Sequence, residues 1–169
     1  MLEIIKKRRS IREYLPKEVE KEKLDEILKA AMFAPTAHHC RSWEFVVVKD
    51  KETIEKLSKA TKWSDFAKEA SVVVILCADE TLDPRWVEDL SIAAGYIYLE
   101  AANQGLGTCW IAVKDPKGSR DEENYVKEII GAPEKIRILC LMPLSYPAEK
   151  KEEHKESEFE VKKIHQEKW

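Results

Sequence analysis

Seven consecutive apolar residues, Val72-Val-Val-Ile-Leu-Cys-Ala78, follow Ser71. Successive side chains of a strand point to opposite faces, so a strand apolar at every position needs cover on both sides. A second segment adds to this constraint. From Pro84 to Gln104 the sequence reads as one long helix, with Pro84 in its first turn. Leu90, Ala93, Ala94, Ile97 and Ala101 form one packed face, while Tyr96, Tyr98 and Leu99 make other faces partly apolar. A helix apolar around most of its girth is central, or is shared with a second copy.

The other elements are arranged around these two. Leu2 to Lys7 reads as a short helix with Leu2 and Ile5 inward. Val19 to Phe33 reads as an amphipathic helix, with Leu24, Ile27, Leu28, Ala31 and Met32 at helical spacing. Ala34 to Ser42 has no period and reads as a loop. Trp43 to Val48 reads as a strand, and its apolar run suggests a central one. Asp50 is positioned to cap a helix over Lys51 to Thr61. Gly105 suits a left-handed helix end, and Thr108 to Val113 is expected to be extended. Asp121 suits the cap of a short helix ending at Gly131, and Ile136 to Met142 reads as a further strand. Glu149 to Glu158 is almost all Lys and Glu, an exposed arm, yet Phe159, Val161, Ile164 and Trp169 follow it. Apolar residues beyond a charged arm imply docking, onto this domain or a neighbouring subunit.

With 169 residues, one domain burying roughly 70% of its unfolded surface is the simplest organisation. The net charge of −3 and the lack of a long basic face argue against a nucleic-acid partner. Cys40, Cys77, Cys109 and Cys140 are far apart and form no Cys-x-x-Cys pair, so reduced thiols and a cytoplasmic location are expected. His38-His39-Cys40 lacks a second ligand pair at zinc-like spacing, so no metal is expected. Neither a signal-peptide core nor a run of about 20 apolar residues is present, so no membrane association is expected.

The residues that could carry chemistry begin with Lys7-Arg8-Arg9-Ser10-Ile11-Arg12. Guanidinium groups present planar forks of donors that match phosphate oxygens, and serine adds a short donor. In an extended segment Arg8, Ser10 and Arg12 would face one side and Ile11 the other. A solvated basic turn is the alternative reading. No P-loop, nucleophile elbow or Gly-x-Gly-x-x-Gly occurs; any redox chemistry must then come from a bound cofactor. His154 and His165 lie in or beyond the polar arm and read as solvated.

Six blocks, in order, resemble the nitroreductase family of flavoproteins. They are Arg8-Arg9-Ser10-Ile11-Arg12, Ala34-Pro35-Thr36-Ala37, Trp43-Glu44-Phe45, Gly105-Leu106-Gly107-Thr108-Cys109-Trp110-Ile111, Tyr146-Pro147-Ala148-Glu149 and His165 to Trp169. The resemblance implies an α+β fold with a central, mostly antiparallel sheet flanked by helices. It also implies a homodimer with FMN at the subunit interfaces. Residues 1–148 would form the FMN-binding domain, and 149–169 an extension exchanged onto the partner subunit. Arg8, Arg9, Ser10 and Arg12 would hold the FMN phosphate and ribityl chain. Pro35, Thr36, Ala37 and His39 of the other subunit would lie beside the ring, as would backbone groups of Trp110, Ile111 and Ala112. Lys155 is the nearest counterpart of the late basic residue that reaches the phosphate in the family.

The implied activity is NADH- or NADPH-dependent reduction of small acceptors such as nitroaromatics or quinones, by a ping-pong mechanism without a catalytic side chain. Other activities on the same cofactor, dehalogenase-like or flavin-fragmenting, and a non-enzymatic anion-binding dimerisation module are the alternatives. The chain departs from the family pattern at His39, Arg41-Ser42, Ala112 and Ser145. His39 and Arg41 would make the pocket mouth more cationic and contribute to substrate binding.

Overall fold

A computed structural model describes all residues, 1–169. The strand at Val72–Asp79 (here called β2, after β1 at Trp43–Val48) is buried at all eight positions. It pairs antiparallel with β1 on one side and with the long strand Ile136–Ser145 (β5) on the other. Two short strands complete the sheet against β5: Gly107–Thr108 (β3) and Ile111–Ala112 (β4). The order is β1-β2-β5-β3, with β4 also on β5, and every pairing within the sheet is antiparallel.

The two faces of β2 are buried in two different cores, as its pattern requires. Val72, Val74, Leu76 and Ala78 pack with helices Lys21–Met32 (α2) and Trp86–Asn103 (α4), through Leu24, Ile27, Ala31, Leu90, Ala93, Ala94 and Ile97. Val73, Ile75 and Cys77 pack on the opposite face with Ile54 and Leu57 of Lys51–Leu57 (α3) and Val126 of Asp121–Ile130 (α5). Each fully buried Val, Leu or Ile contributes about 1.5–3 kcal/mol relative to exposure. This is the expected α+β architecture, a helix-flanked antiparallel sheet. Asp50 accepts from the Thr53 amide at 2.8 Å and caps α3. Gly105 follows α4 at φ 74°, the left-handed conformation its sequence position implies.

Several local expectations fail, each for a physical reason. β1 is an edge strand, not a central one; its interior residues are only half-covered within one chain. The first helix, Glu3–Lys7 (α1), buries no residue, and Leu2 and Ile5 are exposed rather than inward. Met32 is likewise exposed, at the edge of the α2 stripe. Thr108 to Val113 is not one strand, because Cys109 and Trp110 interrupt the pairing. Asp121 lies in the first turn of α5, where its charge suits the helix dipole, and Arg120 holds the cap position.

The charged arm folds back along the start of its own chain. The Ala148 amide donates to the Glu13 carbonyl at 2.8 Å, and the His154 amide to the Lys6 carbonyl at 3.0 Å. Lys151 Nζ donates to the Ser10 carbonyl at 2.8 Å, and Lys6 pairs with Glu156. Beyond residue 158, Phe159, Val161, Ile164 and Trp169 are all at least half exposed.

Candidate functional site

The basic segment is pinned to the end of the sheet. Ser10 bridges Thr108 in parallel register, and the Ile11 amide donates to the Thr108 carbonyl at 3.0 Å. Ile11 is buried, as the alternation predicts. Its approach to β3 depends on Gly107: a Cβ there would lie 2.7 Å from Ile11 Cβ, too close for any side chain. The absence of a side chain at Gly107 therefore sets the position of the arginines.

Arg8 and Ser10 converge on Tyr98 of α4. The Arg8 guanidinium lies 5.0 Å from the Tyr98 ring centre, and Ser10 Oγ is 3.3 Å from the phenol oxygen. The same oxygen accepts the Trp110 amide at 2.6 Å, where β3 and β4 part. One phenol thus connects the basic segment to the Trp110–Ala112 segment. Burial pushes its ionisation above the usual tyrosine range, so it stays a neutral hydroxyl. Arg12 departs from this grouping. Its guanidinium lies over Phe66 at 5.8 Å, and its amide donates to Glu149.

The charges around these arginines are arranged unusually. Four carboxylates of the arm lie close by, yet these take other partners. Glu149 pairs with Lys151 at 3.1 Å, Glu152 with Lys155 at 2.7 Å, Glu156 with Lys6, and Glu158 with His154 at 2.6 Å. Arg8 Nη2 instead meets His154 Nε2 at 3.3 Å, and Arg9 donates to the Glu152 carbonyl. Two guanidinium groups are thereby held side by side in sequence without a carboxylate partner. Lys155 is exposed and bound to Glu152, so the late basic residue that meets Arg8 in this chain is His154. His154 is half-buried rather than solvated, because the arm folds back.

The loop Pro35–Arg41 lies at the other end of α4. Asp89, buried near the start of that helix, accepts the Ala37 amide at 3.0 Å. Thr36 Oγ1 accepts the Arg41 amide at 3.3 Å. His38, His39 and Arg41 all have φ between 50° and 59°. Left-handed conformations at three non-glycine residues are costly and persist only where surroundings fix them. His39 and Arg41 are exposed, and Arg41 lies over Trp43 at 5.8 Å. Asp89 and Tyr98 are nine residues apart, about 14 Å along the helix. Within one chain, the loop anchor and the arginine anchor are therefore at separate places. Of the third segment, Trp110 is half-buried, Ile111 buried and Ala112 exposed.

The family model described as "Nitroreductase family" matches residues 5–71 and 59–146, well over half of the chain. The chain belongs to the nitroreductase family. A solved structure described as an FMN-dependent nitroreductase from Clostridium difficile R20291 is 40% identical, with TM-score 0.94 and complete coverage of both chains. A protein of Archaeoglobus fulgidus, provisionally named NADH dehydrogenase/NAD(P)H nitroreductase, is 36% identical over 173 residues, covering 99% of this chain and 98% of its own. The NADH dehydrogenase of Thermus thermophilus is 31% identical over 85% of this chain and 84% of its own.

Two residues of this candidate site escape a reading of the sequence. Tyr98 looks like one more apolar position on a helix without a clean polar face. His154 looks like part of a solvated charge run, since nothing local shows that the arm returns to residues 6–12.

Proposed function

We propose that this chain is an FMN-dependent oxidoreductase that takes electrons from NADH or NADPH and passes them to small acceptors such as nitroaromatics or quinones. The observation that carries the reading is a pair of guanidinium groups that make no ion pair with any carboxylate. In a chain with 32 Asp and Glu, Arg8 and Arg9 donate only to neutral acceptors. A phosphate monoester with nearly two negative charges is the ligand such a donor set suits. Ser10, steadied by Tyr98, adds a hydroxyl beside them. The donor chemistry therefore fits FMN.

When bound, FMN supplies the acceptance and release of hydride. The protein's part is to bind and orient it. Arg8, Arg9 and Ser10 would hold the phosphate end, while Arg12, over Phe66, is directed away from them. Free backbone groups of the Trp110, Ile111 and Ala112 segment would lie beside the ring, the Trp110 amide itself being taken by Tyr98. The strained loop of Pro35, Thr36, Ala37 and His39 comes from a second copy. The 14 Å separation along α4 supports this, because one chain keeps its loop away from its own arginines. The exposed Leu2 and Ile5 and the exposed apolar residues beyond 158 are the surfaces through which two copies would enclose the site; residues 148–156 stay on their own chain, and only the end of the extension, 159–169, would lie on the partner subunit. Arg41 would add a positive charge and His39 a further polar group at the mouth, a rim suited to the phosphates of a nicotinamide nucleotide.

Donor and acceptor would react in turn at one site, which would give ping-pong kinetics. No side chain acts as an acid or base. No helix is long and apolar enough to cross a membrane. Purified protein should be yellow, its flavin absorption bleached by NADH or NADPH under nitrogen and restored by menadione or nitrofurazone. Colourless protein that takes up no FMN would overturn the reading.

A further inference from the structure

We propose that Asp89 is a positioning residue for electron transfer to the acceptor: its buried carboxylate fixes the backbone of the Pro35–Arg41 loop, and the loop sets how an acceptor meets the flavin ring. The inference rests on the FMN reading above and adds to it a residue of α4 that lies beneath the loop.

Asp89 lies in the first turn of α4 and is 3% exposed. The start of a helix favours a carboxylate, which offsets part of the cost of burying one there. What the buried group holds is a loop amide: Oδ1 accepts from Ala37 at 3.0 Å. The next amides of the loop bond within it. Those of His39 and Cys40 donate to the Thr36 and Ala37 carbonyls, and that of Arg41 to Thr36 Oγ1. Of these four amides, only that of Ala37 leaves the loop for a helix.

Two neighbours of Asp89 reinforce the anchor. Asp83, also buried, accepts the Arg85 amide at 2.7 Å, and Arg85 Nη1 lies 3.4 Å from His38 Nε2. The Cys40 thiol lies against the Asp83 carboxyl, and burial, Asp83 and Asp89 together hold that thiol above its ordinary range. The first turn of α4 and the residues just before it thus meet the loop at Ala37, His38 and Cys40. The left-handed backbone at His38, His39 and Arg41 makes these ties matter. Such conformations are costly and relax when their surroundings no longer impose them.

The consequence falls on rate rather than on cofactor retention. Arg8, Arg9 and Ser10 are held from Tyr98 and Thr108, about 14 Å along α4 from Asp89, so a change at Asp89 leaves the phosphate end intact. A wall beside the ring that shifts by about 1 Å can lower a positioned reaction by as much as 10²-fold.

The test compares wild type, Asp89→Leu and Asp89→Asn as FMN-loaded protein. Leucine branches at Cγ as aspartate does, so it leaves neither a cavity nor an acceptor. Asparagine keeps an acceptor oxygen and removes the charge. The readouts are the FMN dissociation constant, the visible circular dichroism of the bound flavin, and the rate constant for reoxidation of dithionite-reduced protein by menadione under nitrogen. Asp89→Leu should slow reoxidation by about tenfold or more and alter the dichroism, with FMN affinity changed far less. Asp89→Asn should match wild type in all three. Asp89→Ala, with the same expectation as Asp89→Leu, replaces it if the leucine does not fit. Wild-type rate and dichroism in the variant without an acceptor, whatever its Tm, would make Asp89 a structural anchor alone and overturn the inference. Asp89→Asn as impaired as Asp89→Leu would assign the effect to charge and overturn it too. Either result leaves the FMN reading standing, whereas wild-type protein that takes up no FMN would overturn both.

Discussion

Two arginine sites lie in this molecule under opposite conditions. Arg137, on β5, is surrounded by its counter-charges: its guanidinium donates to Glu123 at 2.7 and 2.8 Å and to Glu80 at 2.7 Å, and lies 5.0 Å from the Trp86 ring centre. Arg8 and Arg9 lie beside an arm rich in glutamate and donate to none of its carboxylates. The first site donates to two carboxylates and the second to none. Charge compensation, rather than residue type, separates an arginine that holds a fold together from one that waits for an anion.

The sharpest way to break the comparison is to remove Arg137. Glu123 is 1% exposed, and without its partner it would be a buried, uncompensated carboxylate. Breaking such a pair costs about 3–5 kcal/mol. Arg137→Ala should lower Tm by about 10 °C, measured by calorimetry, and the folded variant should bind FMN as the wild type does. A Tm within a degree of wild type would show that the buried pair contributes nothing.

Arg8→Ala should give the reverse pattern. Removing a charge-assisted donor costs about 1.5–3 kcal/mol of ligand binding, so the FMN dissociation constant should rise about 10- to 100-fold. Riboflavin affinity should change much less, and Tm of the flavin-free protein should stay put, because no carboxylate loses a partner. A large fall in Tm with unchanged FMN affinity would make Arg8 a second Arg137 and remove the basis for the phosphate site.

The two sites also differ in how well the sequence announces them. The layers could be read directly: β2 needs cover on both faces, and α2 and α4 show stripes that meet one of them. The alternation of Arg8, Ser10 and Ile11 likewise forecasts which side chain is buried. What could not be read is set by distant pairing. β1 looks central because Trp43 to Val48 is as apolar as a strand with two neighbours, yet it has one. Leu2 and Ile5 look like core residues and lie on the surface. The contact of His154 with Arg8 joins residues 146 positions apart, and local pattern carries no information at that range. Glu123 and Arg137 are closer in sequence, but nothing in their neighbours marks them as partners.

Tyr98→Phe tests the link between the phosphate anchor and the ring segment. It removes one oxygen and leaves the Trp110 amide and Ser10 hydroxyl without their shared partner. An unpaired, partly buried amide costs about 1–3 kcal/mol. The expected result is a modest loss on both axes: Tm lower by a few degrees, and FMN affinity weaker by no more than about tenfold. Loss of stability alone would mean that Tyr98 supports the sheet and not the site.

The smallest effect is expected at Asp50, far in role from either arginine site. Its carboxylate accepts from the Thr53 amide at 2.8 Å and hydroxyl at 2.6 Å, and these bonds hold its ionisation below the ordinary aspartate range. A carboxyl lowered in the folded state stabilises above its unfolded value, about pH 3.9. That contribution is lost as pH falls through the lower folded value. Asp50→Ala should therefore show a small drop in Tm at neutral pH that shrinks toward zero in acid, with FMN affinity unchanged throughout. Because the cap acts only through α3, a change in flavin binding in this variant would mean that general loosening of the fold reaches the site. The loss of affinity in Arg8→Ala would then need to be judged against that background.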